Sequence, residues 1–274
     1  MYTEYQPSHL LVPYIDNYWE FKGNPDYGMR IHILPDGCTD FIFTLGEVAN
    51  AVEEGSLMMQ PYRSYFVGPM TKYSELVTYT ESIHMFGVRF LPCGLSCFTN
   101  LPLHEFVNSR VSTNEMKAVF DDTFIEKLGE QKHVTDRIRV VEEYLLAYLA
   151  RHYQPADSHV AMAVNMINHS KGKRSVRSLM DDVCLCQRHF ERKFKHYTGF
   201  TPKEYSRIVK FKNAVELLRT TTSANLLTTA VDAGYYDLAH FSKEIKSLSG
   251  NTPASFLSLT VPEETTLTYI EPQR

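Results

Sequence analysis

The stretch DDVCLCQRHFERKFKHYTG, residues 181–199, places two aspartates, two cysteines and two histidines among four lysines and arginines. Three kinds of site contain such residues: a metal site, a thiol switch and a DNA-reading helix. Helical periodicity distinguishes them, since Phe190, Phe194 and Tyr197 recur at spacings of four and three and predict one buried side of a helix. The histidines and cysteines then fall on different parts of the segment, so no four ligands converge.

The opposite face of this predicted helix is charged and carries Arg188, Glu191, Arg192 and Lys195. A helix with aromatic residues behind and arginines in front suits insertion into a major groove. There Arg binds guanine with two hydrogen bonds, Glu accepts from a cytosine amino group, and Lys reaches phosphate. The preceding SVRSLMDDVCL is predicted to be a supporting helix, with Cys184 and Leu185 in the short turn of a helix-turn-helix.

A second unit of similar layout follows about 50 residues later in NLLTTAVDAGYYDLAHFSKEIKSLSG. A short apolar helix over residues 226–233 and a turn at Gly234 precede a helix with Phe241, Ile245 and Leu248 on its buried side. Residues 201–220 join the units, and their predicted helical part of about 18 residues would span about 27 Å at about 1.5 Å per residue. That length is close to the roughly 34 Å between successive major-groove faces. Caps and glycines predict about seven helices from Ser158 onward.

Residues 157–260 resemble the DNA-binding domain of the AraC/XylS family of transcriptional regulators. The resemblance rests on QRHFERKFKHYTGFTPKEY, the A..LL of NAVELLRTT, and AGYYDLAHFSKEIKSLSGNTPASF with its G-x-T-P and aromatic ending. It implies two helix-turn-helix units joined by a linker helix that bind double-stranded DNA. The predicted DNA-contacting residues are Gln187, Arg188, Glu191, Arg192 and Lys195 in the first unit, and Asp237, Ala239, His240 and Lys243 in the second.

Several residues depart from the family pattern. Cys184 occupies the turn where glycine is common, and Cys186 stands where serine usually caps the recognition helix. In the second unit, Thr229 replaces a branched apolar residue and Ile245 replaces the common phenylalanine. Because Leu238 and Ala239 offer no donors or acceptors to bases, we expect the first unit to supply most of the sequence readout.

The N-terminal part is predicted to consist mainly of strands, in RIHILP, CTDFIFTLG, SYFVGP, ELVTYT and IHMFGVRFLP. This pattern favours a compact, mostly antiparallel barrel or sandwich. We therefore predict an α+β protein with a β-rich, barrel-like N-terminal domain and trailing helices, followed by an all-α C-terminal domain with two helix-turn-helix units. The predicted boundaries are 1–153 for the sensor and dimerisation domain, 157–260 for the DNA-binding domain, and 261–274 for a tail.

The trailing helices are predicted in STNEMKAVFDDTFIEKLG and VTDRIRVVEEYLLAYLARHY. The second carries an apolar stripe of Val134, Ile138, Val141, Leu145 and Tyr148. Packing within its own domain is the favoured interpretation. A dimer helix is the alternative, although the stripe covers only about two heptads and a coiled coil needs more. A homodimer thus stays open.

The segments LPDGCTDFIFTLG, VGP and GVRFLPCGLSCFTNLPLHEFVNSRV resemble an uncharacterised domain often found ahead of AraC-type modules. Arg89 lies on a strand that is otherwise apolar, so its charge needs a partner. Pairing with Asp36 or Asp40 in the LPDGCTD turn is favoured, and an acidic ligand is the alternative. These three residues are the candidates for binding a small-molecule effector.

Charge is divided unevenly along the 274 residues, 43% of which are hydrophobic and 22% charged. Residues 157–260 contain 15 Lys and Arg against 9 Asp and Glu, whereas the rest of the chain is acidic. A basic module favours a nucleic-acid partner, because binding to phosphates releases counterions. The five cysteines, Cys38, Cys93, Cys97, Cys184 and Cys186, form no paired framework, and without a leader-like pattern or a long apolar run we expect neither secretion nor a membrane span. We expect a cytoplasmic protein without a membrane partner.

Catalytic and metal motifs find no support in the sequence. His32 and His84 stand alone, and His104 with Glu105 follows a proline, which does not match a metal-binding β-barrel. Phosphate loops, nucleophile elbows and paired carboxylates are also missing. We expect no enzyme, cofactor or metal. The alternative to an effector-responsive regulator is a thiol- or metal-responsive one that uses Cys184 and Cys186, or Cys93 and Cys97.

Overall fold

The structure is a computed structural model. It describes residues 2–52, 57–116, 119–120, 122–183, 185–220, 226–254 and 268–270. Its strands are β1 (Tyr2–Tyr5), β2 (Ile15–Gly23), β3 (Arg30–Ile33), β4 (Thr39–Thr44), β5 (Asn50–Ala51), β6 (Ser64–Val67), β7 (Ser74–Val77), β8 (Ile83–Phe90), β9 (Arg110–Ser112) and β10 (Thr268–Ile270). Its α-helices are α1 (Asp122–Gly129), α2 (Val134–His152), α3 (Ser158–His169), α4 (Val176–Val183), α5 (Gln187–Thr198), α6 (Pro202–Thr220), α7 (Leu226–Asp232) and α8 (Leu238–Ser249). Short 3-10 helices cover Leu95–Cys97, Leu103–Phe106 and Thr113–Glu115.

The described strands form two antiparallel sheets. One sheet has the order β1-β2-β8-β4-β6-β9, and the other has the order β10-β3-β7-β5. Each sheet ends in edge strands, so within the described ranges the sheets make an open sandwich rather than a closed barrel. Strand β10, near the C-terminus, pairs with β3 of the N-terminal domain. The predicted α+β class and antiparallel architecture are confirmed.

The larger sheet is buried on both faces, which explains why its strands are apolar almost throughout. Along β4, Phe41 and Phe43 face a core shared with α1 and α2, whereas Asp40 and Ile42 face the smaller sheet. A sheet covered on both sides replaces simple alternation of polar and apolar residues by continuous apolar runs such as FIF. The strands predicted in this region are all present.

Helix α2 agrees with its prediction and shows how its apolar stripe is used. Val141 and Leu145 are buried in the core beneath the larger sheet, and Val134, Ile138 and Tyr148 pack against that core. The stripe thus serves its own domain. The helix predicted over STNEMKAVFDDTFIEKLG was too long: Thr113–Glu115 is a 3-10 helix, and α1 begins only at Asp122.

The C-terminal part has the predicted order of helix-turn-helix, linker helix and helix-turn-helix, in α4–α5, α6 and α7–α8. Six α-helices follow residue 157 within the described residues, against about seven expected. The helix expected after Thr252 and Pro253 falls mostly on residues 255–260, which lie outside the described residues. Every helix in the described part of the chain is too short or too polar to cross a membrane.

Candidate nucleic-acid interface

The first recognition helix, α5, is held by its aromatic side. Phe190 and Phe194 are fully buried in a core with α3, α4 and α6. This packing leaves the predicted DNA-facing side chains exposed at Gln187, Arg188, Arg192 and Lys195, and Glu191 half-buried. The amide of Gln187 donates to Glu191 Oε1 at 2.9 Å, and an Nη of Arg192 lies 3.2 Å from His189 Nδ1. The structure therefore brings all five predicted residues of the first unit onto one accessible helix.

The start of α5 has no side-chain cap. Cys186 occupies the N-cap position in extended conformation, with φ −68° and ψ 147°, but its side chain makes no capping hydrogen bond. This agrees with the weak cap expected from replacing serine by cysteine. The predicted role of Cys184 in the turn falls on a residue outside the described ones.

The second recognition helix, α8, is built in the same way but begins differently. Phe241, Ile245 and Leu248 are fully buried, whereas Ala239, His240 and Lys243 are exposed. Asp237 is the N-cap, and its carboxylate accepts the backbone N–H of His240 at 2.7 Å. The Asp237 carboxylate therefore orders the helix start, a role that sequence reasoning had not separated from base contact.

Both recognition helices end in the same local structure. Thr198 and Ser249 are buried hydroxyl residues that donate to the carbonyl four residues earlier, at 2.7 Å in each case. Gly199 and Gly250 follow in left-handed conformation, with φ of +82° and +79°, and terminate the helices. The two units are thus structural repeats down to their C-caps.

The linker helix α6 belongs to the cores of both units. Near its start, Tyr205 and Ile208 pack in the core of the first unit, and further along Phe211 and Val215 pack in that of the second. A helix that is apolar on two sides in this way has little net amphipathicity, and its burial is spread around its circumference. Helix α6 therefore joins the two helix-turn-helix units through packed side chains.

The N-terminal domain contains a buried charge cluster centred on Arg89. Arg89 Nε lies 3.2 Å from Asp40 Oδ1 and 3.3 Å from Asp36 Oδ2, so the predicted pairing is present. Trp19 donates its indole N–H to the same Asp40 oxygen at 2.7 Å. Burial raises the pKa of Asp40 to about 6, although the guanidinium of Arg89 acts in the opposite direction. One arginine thus balances two buried carboxylates only in part.

A cavity of about 50 Å³ lies between the two sheets beside this cluster. Apolar side chains from both sheets line it, and Asp40, Arg89 and Arg110 supply its charged groups. Its apolar lining includes Trp19, Phe21, Ile31, Ile42, Val67, Met70, Leu76 and Met85. Arg89 and Asp40 reach this space, whereas Asp36 does not line it. Apolar walls with a few charged groups at one end have the composition of a small-molecule site.

The LPDGCTD turn connects this charge cluster to the C-terminal helices. Gly37 has φ +88°, and an added Cβ would lie 2.7 Å from the ring of Tyr205 on α6. Lys212 Nζ, also on α6, donates to the carbonyl oxygen of Asp36 at 3.3 Å. Leu34 is fully buried within the core of the second unit. The residues that position Arg89 and those that support the linker helix are therefore neighbours in one turn.

The four cysteines that the structure describes do not form a ligand set. Cys38, Cys93 and Cys97 are buried, and burial raises the pKa of each thiol, which disfavours the reactive thiolate. Cys186 is exposed. Among the described residues, no group of three His, Cys, Asp or Glu side chains could hold a metal ion.

Sequence reasoning missed three residues of these sites: Trp19, Tyr205 and Lys212. The first had a signal, because IDNYWEFKG has the alternation of a strand and becomes β2 with Trp19 on the cavity side. The two residues on α6 had none, since their contacts join segments about 170 residues apart in sequence.

Comparisons with known proteins agree with this architecture. A domain of unknown function (DUF6597) matches residues 3–112, and a helix-turn-helix domain matches residues 179–258. No curated protein matches the sequence. A structure of ToxT from Vibrio cholerae is 9% identical with a TM-score of 0.52, covering 88% of this chain and 98% of that one. A ToxT structure bound to (E)-4-(8-methylnaphthalen-1-yl)but-3-enoic acid is also 9% identical, with a TM-score of 0.51, and the match covers 88% of this chain and 98% of that one.

A probable AraC family transcriptional regulator from Rhodopseudomonas palustris is 19% identical, with a TM-score of 0.34, over 37% of this chain and 96% of that one. The helix-turn-helix match covers α5–α8, and the other match covers the strands around the cavity. The chain thus contains a helix-turn-helix domain behind a domain of unknown function, and its fold is similar to that of ToxT.

Proposed function

We propose that this chain is a transcriptional regulator of the AraC family, which reads specific DNA sequences with the exposed faces of α5 and α8 and responds to a small effector in the N-terminal cavity. The observation that carries the proposal is the two-sided construction of α5, with Phe190 and Phe194 fully buried and Arg188 and Arg192 exposed. Because these two arginines are four residues apart, about one helical turn, both can reach base edges in one groove. Lys195, one turn further along, suits a phosphate contact.

The second unit contributes differently in this proposal. Lys243 supplies a cation for phosphate, His240 a ring donor, and Ala239 an apolar contact suited to a thymine methyl group. Asp237 is assigned to helix capping as well as to the DNA-facing set, because its carboxylate already accepts from His240. We assign residues 157–260 to DNA binding, residues 1–153 to sensing, and residues 261–274 to a tail.

The effector site is assigned to the cavity beside Arg89 and Asp40. Support comes from its mostly apolar lining with a charged end, and from the contacts of the adjacent turn with Tyr205 and Lys212 on α6. ToxT, which shares the fold, binds a small aromatic acid in one of its structures. A ligand that prefers one arrangement of the turn would shift the population of DNA-binding states.

Several finer assignments complete the proposal. Asp36 acts through Arg89 rather than on the ligand, since it does not line the cavity. A cytoplasmic location follows from the assigned DNA partner. Homodimer formation remains a prediction, and the α2 stripe gives it no support because Val141 and Leu145 are used inside their own domain.

The DNA-reading proposal is tested with the full-length chain and a random double-stranded DNA library. After selection of a binding sequence, we expect Arg192→Ala to lose about 1–3 kcal/mol and to relax base preference at one position. Arg139→Ala is the matched control, because Arg139 is exposed on α2 and pairs with Asp136 one turn away. If Arg192→Ala keeps both affinity and base preference, the assigned role is wrong.

The effector assignment has a built-in reporter. Trp19 is the single tryptophan of the chain and lines the cavity, so ligands that enter should alter its emission. A compound that changes both Trp19 emission and DNA affinity would support the cavity as the effector site. A compound that changes DNA affinity with Trp19 emission unaltered would argue for a site elsewhere.

A further inference from the structure

Both recognition helices rest, through their C-terminal glycines, on one short segment of the N-terminal domain. Gly199 ends α5 beside Pro69, where an added Cβ would clash with the proline ring. Gly250 ends α8 beside Tyr73, where an added Cβ would lie 2.6 Å from Cζ of the tyrosine. Pro69 and Tyr73 are four residues apart between β6 and β7. Two equivalent points of the repeated units thus meet a single support.

We infer that residues 67–73, called here the positioning segment, hold the two recognition helices and so fix the spacing of the DNA half-sites that the protein accepts. This inference rests on the proposed DNA-reading function and adds a role for Pro69 and Tyr73. Neither is assigned to DNA or effector contact. They act as positioning residues, because they touch the helix ends and not the DNA-facing side chains.

The positioning segment is itself firmly anchored. The Pro69 carbonyl accepts the N–H of Asn108 at 2.9 Å, and Gly68 donates to the Ser109 carbonyl at 3.0 Å. The ring of Tyr73 stacks on His32 of β3, with centroids 5.7 Å apart and planes 6° apart. A support held by neighbouring strands and loops at both ends can resist displacement of the helices that lie on it.

Further contacts reinforce the support at the end of α5. The 3-10 helix Leu103–Phe106 packs along α5, and its Leu103 carbonyl also lies beside Gly199. The rings of His104 and His196 lie 6.4 Å apart across the same contact. Because these contacts involve the last turn of α5, Arg188 in the first turn and Arg192 in the middle of the helix stay exposed. The seat therefore orients the helix without covering its DNA-facing residues.

The positioning segment also borders the effector cavity. Val67 and Met70 line the cavity, while Pro69 and Tyr73 contact the helix ends. Residues of the positioning segment thus line the cavity and also contact the ends of both recognition helices. A ligand that displaces Met70 would move the two helix seats together, which gives the cavity a direct route to half-site spacing.

The test measures half-site spacing with the full-length protein. A duplex selected from random DNA is compared with versions in which the two half-sites are moved apart or together by one and by two base pairs. We expect the wild type to lose roughly tenfold or more in affinity at altered spacing, since a misplaced half-site loses its base contacts. Pro69→Ala/Tyr73→Ala should flatten this profile. Tyr79→Ala, an exposed tyrosine away from the helix ends, should leave it unchanged.

A second experiment needs no DNA and examines the Tyr73 seat directly. Gly250→Ala is introduced into the wild type and into Tyr73→Ala, and denaturant midpoints are compared. The cost of a left-handed alanine is common to both backgrounds, so only the clash with the ring differs. We expect a larger midpoint loss in the wild type than in Tyr73→Ala. Equal losses would show that the alanine side chain at position 250 does not clash with the Tyr73 ring, and would overturn the contact between residue 250 and Tyr73.

The outcomes separate the two levels of the proposal. An unchanged spacing profile in Pro69→Ala/Tyr73→Ala, at any affinity, would mean that α6 alone sets the spacing and would overturn the inference. If the wild type selects no sequence at all, the proposed function and the spacing role both fall, while the midpoint comparison still measures the seat. A flattened profile together with unequal midpoint losses supports the positioning segment.

Discussion

Arg89 Nε lies 3.2 Å from Asp40 Oδ1, and that oxygen also accepts the indole N–H of Trp19 at 2.7 Å. The three residues come from β8, β4 and β2, which are neighbours in the larger sheet. Their side chains meet at the cavity between the sheets, where water is scarce. Electrostatics inside the N-terminal domain therefore depend on a buried carboxylate that has a charged partner and a neutral donor.

The pH dependence of stability should reveal Asp40. Burial raises its pKa from 3.8 to about 6, so the folded protein keeps this proton to higher pH than the unfolded chain does. The stability that this gives is present below about pH 4 and is lost as pH rises towards 6. Relative to Asp40→Asn, the wild type should lose unfolding free energy over that window, as measured by denaturant titration at several pH values.

The choice of Asp40→Asn matters for this comparison. Asparagine keeps an oxygen that can accept from Trp19 but does not ionise in this range. Arg89 retains Asp36 at 3.3 Å in the variant, so its charge is not left alone. A difference between the two proteins that stays constant from pH 4 to 6 would contradict the raised pKa.

Capping of α5 offers a gain in stability. Cys186 is exposed, holds the N-cap position in extended backbone conformation and makes no side-chain cap. Serine at that position can accept a backbone N–H of the first turn, and we expect Cys186→Ser to raise unfolding free energy by about 1 kcal/mol. Cys186→Ala removes the thiol without adding an acceptor and should give no gain. Chemical denaturation of the two variants beside the wild type decides the matter.

Mild oxidants and chelators should leave DNA binding unchanged. Cys93 and Cys97 are buried, and burial raises the pKa of both thiols, so little thiolate is available for oxidation or metal binding. The measurement is DNA retardation by the wild type with and without each reagent. Any loss of binding would favour the thiol- or metal-responsive alternative, and a loss that persists in Cys186→Ser would point to another cysteine.

Local patterns were enough to predict most of this molecule, and long-range contacts were not. Phe190 and Phe194 mark the buried side of α5 because helical spacing is a local property, and the apolar run around Phe41 marks β4 for a similar reason. The pairing of Arg89 with Asp40 was predictable, since a buried charge requires a partner. The contact of Gly37 with Tyr205 was not, because nothing near either residue indicates which distant surface it meets.

The extent of α1 also could not be predicted from local sequence patterns. The sequence from Ser112 has residues that are acceptable in a helix, yet Met116 is extended and α1 begins at Asp122. Fully buried Phe120 and Phe124 each pack against Phe43 beneath the larger sheet. Tertiary packing of aromatic side chains thus decides where this helix begins, and propensity alone overestimates its length.

The two units should carry unequal amounts of sequence information. The exposed face of α5 offers Arg188, Arg192 and Lys195, whereas the start of α8 offers Leu238 and Ala239, which cannot donate to or accept from base edges. Asp237 is further occupied by its cap to His240. We expect the selected DNA to have one strongly specified half-site and one weakly specified half-site.

Substitutions in the two units should therefore differ in their effects. Lys243→Ala should weaken binding almost equally across sequences and lower the salt dependence of binding. Arg188→Ala, by contrast, should relax preference at one base position, because a bidentate contact to guanine discriminates between bases while a phosphate contact does not. Selection from random DNA, followed by affinity measurements on single-base variants at two salt concentrations, separates these effects. Equal information in both half-sites would show that α8 reads bases through side chains other than those at its start.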